Sequence, residues 1–229
     1  MTDLIRRNMM MAASADEKII NAVKGGVSGD ATNDAALMKV IYAQGWSKSP
    51  LYMTKREAEK VTSLPNHLFI SNINIVNFNA FQYFTGLISI PKYLFYRCTL
   101  SSIVIPNTIC SIGEPNDSYA LSQTKLTNVI IPNSVVKIGH ATFNGGIFEV
   151  IDIGSGVQEI YSQAFSAITT NVKIIIRAIS PPNLLGTYHF LGTSSYTIYV
   201  PDNSVEAYKA ANVWNTIADR IKPLSEYTE

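Results

Sequence analysis

Cysteine, histidine and charge are all scarce in this chain of 229 residues. It has two cysteines and three histidines, 15% of its residues are charged, and its formal net charge is +1. Two cysteines cannot make a zinc site alone, and Cys98 and Cys110 occupy different positions in the repeat described below, so we expect no disulfide. Basic and acidic residues are spread evenly, which gives neither the basic stripe typical of nucleic-acid binding nor an acidic tail.

Sequence motifs for catalysis are also absent. The histidines form no H-x-x-x-H or H-E-x-x-H spacing, and the chain has no G-x-S-x-G motif and no phosphate-cradling glycine loop. No apolar run approaches the roughly 20 residues of a membrane-spanning helix. Residues 9–15, MMMAASA, follow two arginines, but this run is short for a signal peptide and Asp3 lies where only basic residues belong. We therefore expect no enzyme, cofactor, metal, membrane span or signal peptide.

What the chain does contain is a repeat centred on residues 126–143, LTNVIIPNSVVKIGHATF. The same apolar pattern occurs once before it, at an offset of 26, and once after it, at an offset of 22. The three copies are Leu100, Ile103, Ile105, Ile109 and Ile112; Leu126, Val129, Ile131, Val135 and Ile138; and Phe148, Ile151, Ile153, Val157 and Ile160. A period of roughly 20–29 residues with apolar residues at fixed offsets indicates a leucine-rich solenoid, whose coils stack because one coil cannot bury its own apolar face.

Each copy predicts a short strand, a second apolar pair and a large apolar plug. Alternation with period two, as at Val129 and Ile131, is typical of a strand with one buried face. Phe143 closes its coil as a plug, and we expect Leu121 to close the coil before it. The additional residues that make the first offset longer than the second therefore lie between Gly113 and Leu121, where they predict a surface loop.

The pattern L-x-x-I-x-I-P-x-S-V-x-x-I-G-x-x-x-F resembles the BspA-like leucine-rich repeats, a family abundant in gut anaerobes and also found in proteins of their phages. Residues 198–224 are similar to the C-terminal cap of many of these solenoids, so the resemblance covers residues 81–224. It implies a solenoid that binds other molecules, and the family carries no catalytic residues to transfer.

The predicted fold class is therefore α+β: a short leucine-rich-repeat solenoid with small strands in each coil, an N-terminal helical arm and a C-terminal helical cap. The expected organisation is an arm and linker over residues 1–50, an N-terminal cap and degenerate repeat over 51–98, leucine-rich repeats over 99–195 and a C-terminal cap over 196–229. In the degenerate repeat, we expect Ile90 in the strand and Phe95 as the plug.

The arm shares no period with the repeats. Three helices are predicted near it, from Ser14 or Asp16 through Val23, from Asn33 or Asp34 through Ala43, and after a T-x-x-E capping box at Thr54 to Glu57. Isolated helices of this length are marginal in water, so the arm either packs on its own solenoid, orders on another chain or remains a frayed tail. Of these, we favour order on another chain.

Binding is expected at the loop after Gly113. There Asn116, Ser118 and Tyr119 are small polar or aromatic residues that can contact a partner without serving the core. Two functions remain open. The first is a structural or host-adhesion component of a phage virion, made in the host cytoplasm and attached through its N-terminal arm. The second is a bacterial cell-surface or secreted adhesin. The expected partner is then a virion or surface protein, a host protein or a glycan. The chain could also form a homo-oligomer, but we do not expect it to bind nucleic acid.

Overall fold

The computed structural model describes residues 17–22, 31–193 and 195–228. Strands of successive coils pair in parallel along two rows. The first row contains β3 (Asn77–Phe78) paired with β5 (Ser102–Ile103), and a five-stranded sheet of β7 (Asn128–Ile131), β9 (Val150–Ile153), β11 (Asn171–Ile176), β13 (Ser195–Val200) and β14 (Ile221–Pro223). The second row contains β4 (Ser89–Ile90), β6 (Ser111–Ile112), β8 (Lys137–Ile138), β10 (Glu159–Ile160) and β12 (Asn183–Leu184).

The strand register confirms both repeat offsets. In the first row Ile131 pairs with Ile153, which is the shorter offset. In the second row Ile112 pairs with Ile138, which is the longer offset, and Ile138 pairs with Ile160. Strand β7 alternates exposed and buried side chains, as expected for a strand that covers the core with one face only. The shared offsets therefore bring the same type of side chain into the core in every coil.

The third side of each coil is a turn around the plug, and we call these turns the plug row. The plugs are Phe69, Phe95, Leu121, Phe143, Phe165 and Phe190. Rings of neighbouring plugs stack at centroid distances of 5.4 Å for Phe69–Phe95, 5.7 Å for Phe143–Phe165 and 5.5 Å for Phe165–Phe190. Leu121 is fully buried in this row, which confirms its predicted place.

Each plug is flanked by two residues with positive φ, one on either side of it. The pairs are His67 and Ser71, Tyr93 and Arg97, Tyr119 and Gln123, Ala141 and Gly145, Gln163 and Ala167, and Tyr188 and Gly192. This conformation turns backbone N–H groups toward the next coil. For example, Gln163, Phe165 and Ala167 donate to the carbonyls of Thr187, His189 and Leu191 at 3.2, 3.0 and 2.8 Å. The plug row is thus a third hydrogen-bonded ladder, although it contains no strand.

The N-terminal region differs from the sequence prediction in one element. The helix expected from Ser14 or Asp16 through Val23 is wrong over the described residues, because Lys18–Asn21 is strand β1, antiparallel to β2 (Tyr52–Thr54). The β-branched side chains of Ile19 and Ile20 are buried in this pairing, which favours a strand over a helix. Ser14, Asp16 and Val23 themselves lie outside the described residues.

The described part of the arm packs on the chain's own solenoid. Helix α1 (Ala31–Ala43) starts two or three residues before the second predicted helix and ends at the predicted residue. Its Leu37, Met38 and Ile41 are buried in the same hydrophobic core as the coils. Helix α2 (Lys55–Ala58) starts at the predicted capping box of Thr54 and Glu57. The preference for an arm that orders on another chain is therefore wrong for these residues, because their apolar faces already have a partner within the chain.

The coil of the degenerate repeat includes the aromatic segment before it. Ile90 pairs with Ile112 in the second row, whereas the first-row strand of its coil is β3, in which Phe78 pairs with Ile103. Residues 73–86 and the degenerate repeat after them therefore form one coil. Phe78, Phe81 and Phe84 are buried, so this aromatic segment serves the core.

The remaining elements lie beside the first coil and beyond the last one. They are the 3-10 helices Asn79–Tyr83, Asp202–Ser204, Trp214–Arg220 and Leu224–Glu226, and helix α3 (Val205–Ala210). Trp214 and Tyr208 are fully buried and pack edge to face at 5.2 Å. Over the residues that the structure covers, no helix is long and apolar enough to cross a membrane.

Candidate functional site

Five aromatic side chains lie outside the core in contact with one another, and we call them the aromatic stripe. They are His67, Tyr93, Tyr96, Tyr119 and His140. His67 is exposed, and the other four are half-buried. Because the stripe includes the predicted residue Tyr119 and adjoins the predicted loop, it is the candidate functional site.

The rings of the stripe are ordered by the plug row beneath them. His67 stacks on Tyr93 at a centroid distance of 4.7 Å, and Tyr93 stacks on Tyr119 at 5.4 Å. These three residues follow one another at a constant offset of 26 residues and have equivalent left-handed conformations. Their three coils therefore present the rings at the same place. Tyr96 packs edge-on against Tyr93 and Tyr119 at 5.4 and 5.8 Å, and His140 against Tyr119 at 5.3 Å. The stripe therefore follows the solenoid axis.

The loop after Gly113 supports the stripe. Asp117 accepts a hydrogen bond from the phenolic O–H of Tyr93, and this bond links the loop to the preceding coil. The Oγ of Ser118 accepts a hydrogen bond from the backbone N–H of Glu114 at 3.0 Å, which closes the loop on itself. The carbonyl of Glu114 in turn accepts from the N–H of His140 at 2.8 Å. The insertion is therefore tied to both neighbouring coils.

Charge at the stripe is fixed by these contacts. The carboxylate of Asp117 raises the pKa of Tyr93 to about 12, mainly through the hydrogen bond, so this phenol stays protonated at neutral pH. Burial lowers the pKa of His140, against a smaller opposing effect of Asp117. The guanidinium of Arg97 lies 4.9 Å from the ring centre of Tyr96, and its Nε donates to Gln123 at 3.0 Å. The stripe thus carries one cation held over an aromatic ring.

The three predicted binding residues have different surroundings. Tyr119 lies at the centre of the stripe, and Asn116 is exposed on the loop. Ser118, in contrast, is fully buried, so its prediction as a contact residue is wrong. The physical reason is that a loop of this length needs an internal acceptor for its backbone, and the Ser118 hydroxyl provides it.

Sequence reasoning missed the other four rings of the stripe. A signal was present for two of them, because His67, Tyr93 and Tyr119 follow one another at the offset of the lengthened coil. Tyr96 and His140 lie at no such offset, so only the folded structure brings them to the stripe.

The stripe offers a large aromatic contact area. Aromatic rings and arginine supply large contact areas at a small cost in side-chain entropy, and they are enriched among the residues that dominate protein–protein binding energy. Within the described ranges, no group of three histidine, cysteine, aspartate or glutamate side chains could hold a metal ion. The arrangement can therefore bind a partner through ring edges, phenolic hydroxyls and one guanidinium.

Two pairs of opposite charges join neighbouring coils along the strand rows. Arg177 contacts Asp152 at 2.7 Å, and Lys137 contacts Glu159 at 3.0 Å, each between neighbouring coils. Exposed pairs of this kind contribute little to stability, because solvent screens their charges. They satisfy each other along the solenoid, which makes the strand faces weaker candidates for a site than the stripe.

Comparison with known proteins places the chain in a family. No curated protein matches it. The family model of the BspA type Leucine rich repeat region matches residues 88–214, with six copies of the repeat. This range covers just over half of the 229 residues and includes Tyr93, Tyr96, Tyr119 and His140 of the stripe. The chain belongs to the BspA-type leucine-rich repeat family.

Proposed function

We propose that this chain is a non-enzymatic interaction protein that binds a protein partner through the aromatic stripe. The observation that carries the proposal is the row of five contacting rings outside the core, three stacked and two packed edge-on, with Arg97 over one of them. The hydrophobic core does not need the rings of the stripe, because the plugs beneath them already fill it. Leucine-rich repeat domains typically bind proteins, which agrees with a contact surface rich in tyrosine and arginine.

A protein partner fits the stripe better than a glycan does. His67, Tyr93 and Tyr119 are stacked with interplanar angles of 12° and 19°, so their faces cover one another. A sugar ring packs against an open aromatic face, and this column leaves mainly ring edges and the hydroxyl group of Tyr119 free, because the Tyr93 hydroxyl donates to Asp117. Edges and hydroxyls suit the backbone and side-chain groups of a protein surface, as they do in antibody loops.

For the biological setting, we propose a structural or host-adhesion component of a phage virion. The resemblance to repeats that also occur in phage proteins supports this setting. The alternative is a bacterial cell-surface or secreted adhesin, which the same family resemblance supports. Attachment would use the stripe or another exposed surface, because β1 and α1 of the arm are already packed on the core.

A site-specific photo-crosslink tests the stripe and the setting together. Tyr96→p-benzoylphenylalanine places the reactive group on the stripe, and Tyr42→p-benzoylphenylalanine, on an α1 residue that is 47% exposed, is the matched control. We expect position 96 to crosslink to one virion protein in phage-infected cells and position 42 to crosslink to none. A crosslink to a host surface protein would select the adhesin setting. Equal crosslinking at both positions would contradict the role of the stripe.

A further inference from the structure

The strand rows of the solenoid are closed at their ends by groups that replace a missing coil. At the N-terminal end, the Asn33 side chain accepts from the N–H groups of Val76 and Asn77, each at 2.8 Å, and donates to the carbonyl of Asn77 at 2.9 Å. At the C-terminal end, β13 and β14 extend the first row. The indole of Trp214 donates to the carbonyl of Pro182 at 2.7 Å beside the second row. Side-chain amide and indole groups thus satisfy backbone groups that a further coil would have paired.

The plug row lacks such a closure at the last coil. In the preceding coil Gln163, Phe165 and Ala167 donate their N–H groups forward. The equivalent N–H groups of Tyr188, Phe190 and Gly192 have no acceptor in the part of the chain that the structure describes. The carbonyl of Leu184 is also unpaired there, whereas its counterpart in the preceding coil, Ile160, accepts from Leu185. Three donors and one acceptor of the backbone therefore remain open at one place.

A cleft of about 540 Å³ lies over these open groups, between the last plug turn and the C-terminal cap. Its walls are mainly apolar and include Leu184, Phe190, Tyr196, Val213 and Ile217. At the rim of the cleft, Tyr188 and Leu191 are 60% and 61% exposed, although both are large and apolar in character. The cap, which covers the rest of the last coil, leaves this corner uncovered.

We propose that this cleft binds a peptide segment of a protein partner by continuing the plug-row ladder. Open N–H groups at alternate residues require acceptors at matching spacing, and the open carbonyl requires a donor. A polypeptide backbone supplies both along one edge, as it does when a peptide extends the edge of a sheet. The apolar walls then take a hydrophobic side chain of the segment. This site is separate from the aromatic stripe, so it does not depend on the function proposed for the stripe.

The probe is a synthetic peptide with the sequence of residues 158–168, QEIYSQAFSAI, which carries these ladder groups in an inner coil. It is titrated into the 15N-labelled full chain and followed by NMR. We expect shifts of the Tyr188, Phe190 and Gly192 amides and at least tenfold slower hydrogen exchange of these amides at saturation. A peptide N-methylated at its tyrosine loses the donor for Leu184 and should bind about fivefold more weakly, the effect of one hydrogen bond. A scrambled peptide is the composition control.

Two variants locate the binding. Thr216→Trp fills the cleft from its exposed wall and should abolish the shifts, whereas Asn215→Trp, on the neighbouring exposed residue that does not line the cleft, should preserve them. Equal binding of the scrambled peptide, unchanged binding to Thr216→Trp or shifts confined to other residues would overturn the proposal. Concentration-dependent shifts of the three amides without peptide would show that a second copy of the chain occupies the cleft, and would also overturn it.

Discussion

At the scale of single residues, the plug row depends on a backbone conformation that L-amino acids rarely adopt. Most of its positive-φ positions hold residues with a Cβ atom, such as Tyr93, Gln163 and Ala167, and only Gly145 and Gly192 are glycines. Left-handed backbone costs a residue with a Cβ atom roughly 1–2 kcal/mol relative to the right-handed form. The hydrogen bonds to the next coil and the burial of the plug offset this cost, so the strain is distributed along the whole ladder.

Ala167→Gly should stabilise the chain. Ala167 has φ of 55° and is exposed, and glycine relieves the left-handed strain while losing somewhat more unfolded-state entropy. The net gain in the free energy of unfolding should be about 0.5–1 kcal/mol, measured by urea denaturation. The reciprocal control is Gly145→Ala, whose Cβ would lie 3.0 Å from the Cγ of Gln123 at a φ of 66° and should destabilise. Destabilisation by Ala167→Gly would contradict the strain argument.

Asp117→Ala should lower the raised pKa of Tyr93. Tyr93 has a pKa of about 12 because it donates to Asp117. Without the carboxylate its pKa should fall toward the ordinary value of about 10, seen as one more tyrosine ionising below pH 11 in an ultraviolet titration. Asn116→Ala, on the same loop, should leave the titration unchanged. If Asp117→Ala has the titration curve of the wild type, the loop does not hold the stripe.

The stability of the chain should fall as the pH drops from 7.5 to 5. Burial lowers the pKa of His189, with the carbonyls of Tyr161 and Gly186 opposing, so the unfolded chain binds a proton near pH 6.5 more readily than the folded chain does. When the unfolded state binds more protons, stability decreases with decreasing pH. His189→Asn, which retains a donor for the Tyr161 carbonyl, should lose less stability over this range. An equal loss in both proteins, measured by urea denaturation, would contradict this origin.

At the scale of elements, side chains form the hydrogen bonds at the ends of the solenoid that backbone groups of a neighbouring coil form elsewhere. Asn33 is 1% exposed and makes three hydrogen bonds to the edge strand β3 and the residue before it, an arrangement that no repeat pattern encodes. From the sequence, Asn33 was a candidate for the start of α1. Its hydrogen bonds to residues 76 and 77 could not be predicted, because these residues are more than 40 positions away in the sequence. The cap of the first coil therefore depends on one amide side chain.

Asn33→Ala should destabilise the chain by about 2–3 kcal/mol, because it leaves the N–H groups of Val76 and Asn77 without their acceptor. Urea denaturation gives the free energy of unfolding. Asn116→Ala, at an exposed loop position, is the matched control and should change it by less than about 0.5 kcal/mol. Equal effects of the two substitutions would show that the Asn33 amide does not cap the edge.

The repeat pattern in the sequence predicted those elements that pair with equivalent elements of neighbouring coils. The two repeat offsets predicted the register of the inner coils, the plug Leu121 and the place of the insertion. They did not predict β1, whose strand depends on pairing with the distant β2, nor the burial of Ser118, which depends on a loop conformation. Of the stripe, Tyr119 was predicted from the loop. The rings beside it follow from plug-row geometry, which has no hydrophobic signature of its own.

At the scale of the whole molecule, one continuous hydrophobic core extends from Ile20 in β1 to Ile221 in β14. In a stack where each coil contacts only its neighbours, an uncovered end would expose apolar surface, so the arm and the C-terminal segment serve as caps. This arrangement leaves the outer turns free to vary. The stripe and the open cleft at the last coil both lie on the plug side, where the fold places side chains that the core does not need.

The affinity of the partner identified by crosslinking tests the proposed function of the stripe most directly. Isothermal titration calorimetry would compare the wild type with Tyr96→Ala, Tyr119→Ala and, as the control on α1, Tyr42→Ala. We expect each stripe substitution to weaken binding by at least tenfold, about 1.4 kcal/mol, with an unchanged unfolding midpoint, and Tyr42→Ala to bind as the wild type does. Unchanged affinity in both stripe variants, or an equal loss in Tyr42→Ala, would contradict binding through the aromatic stripe.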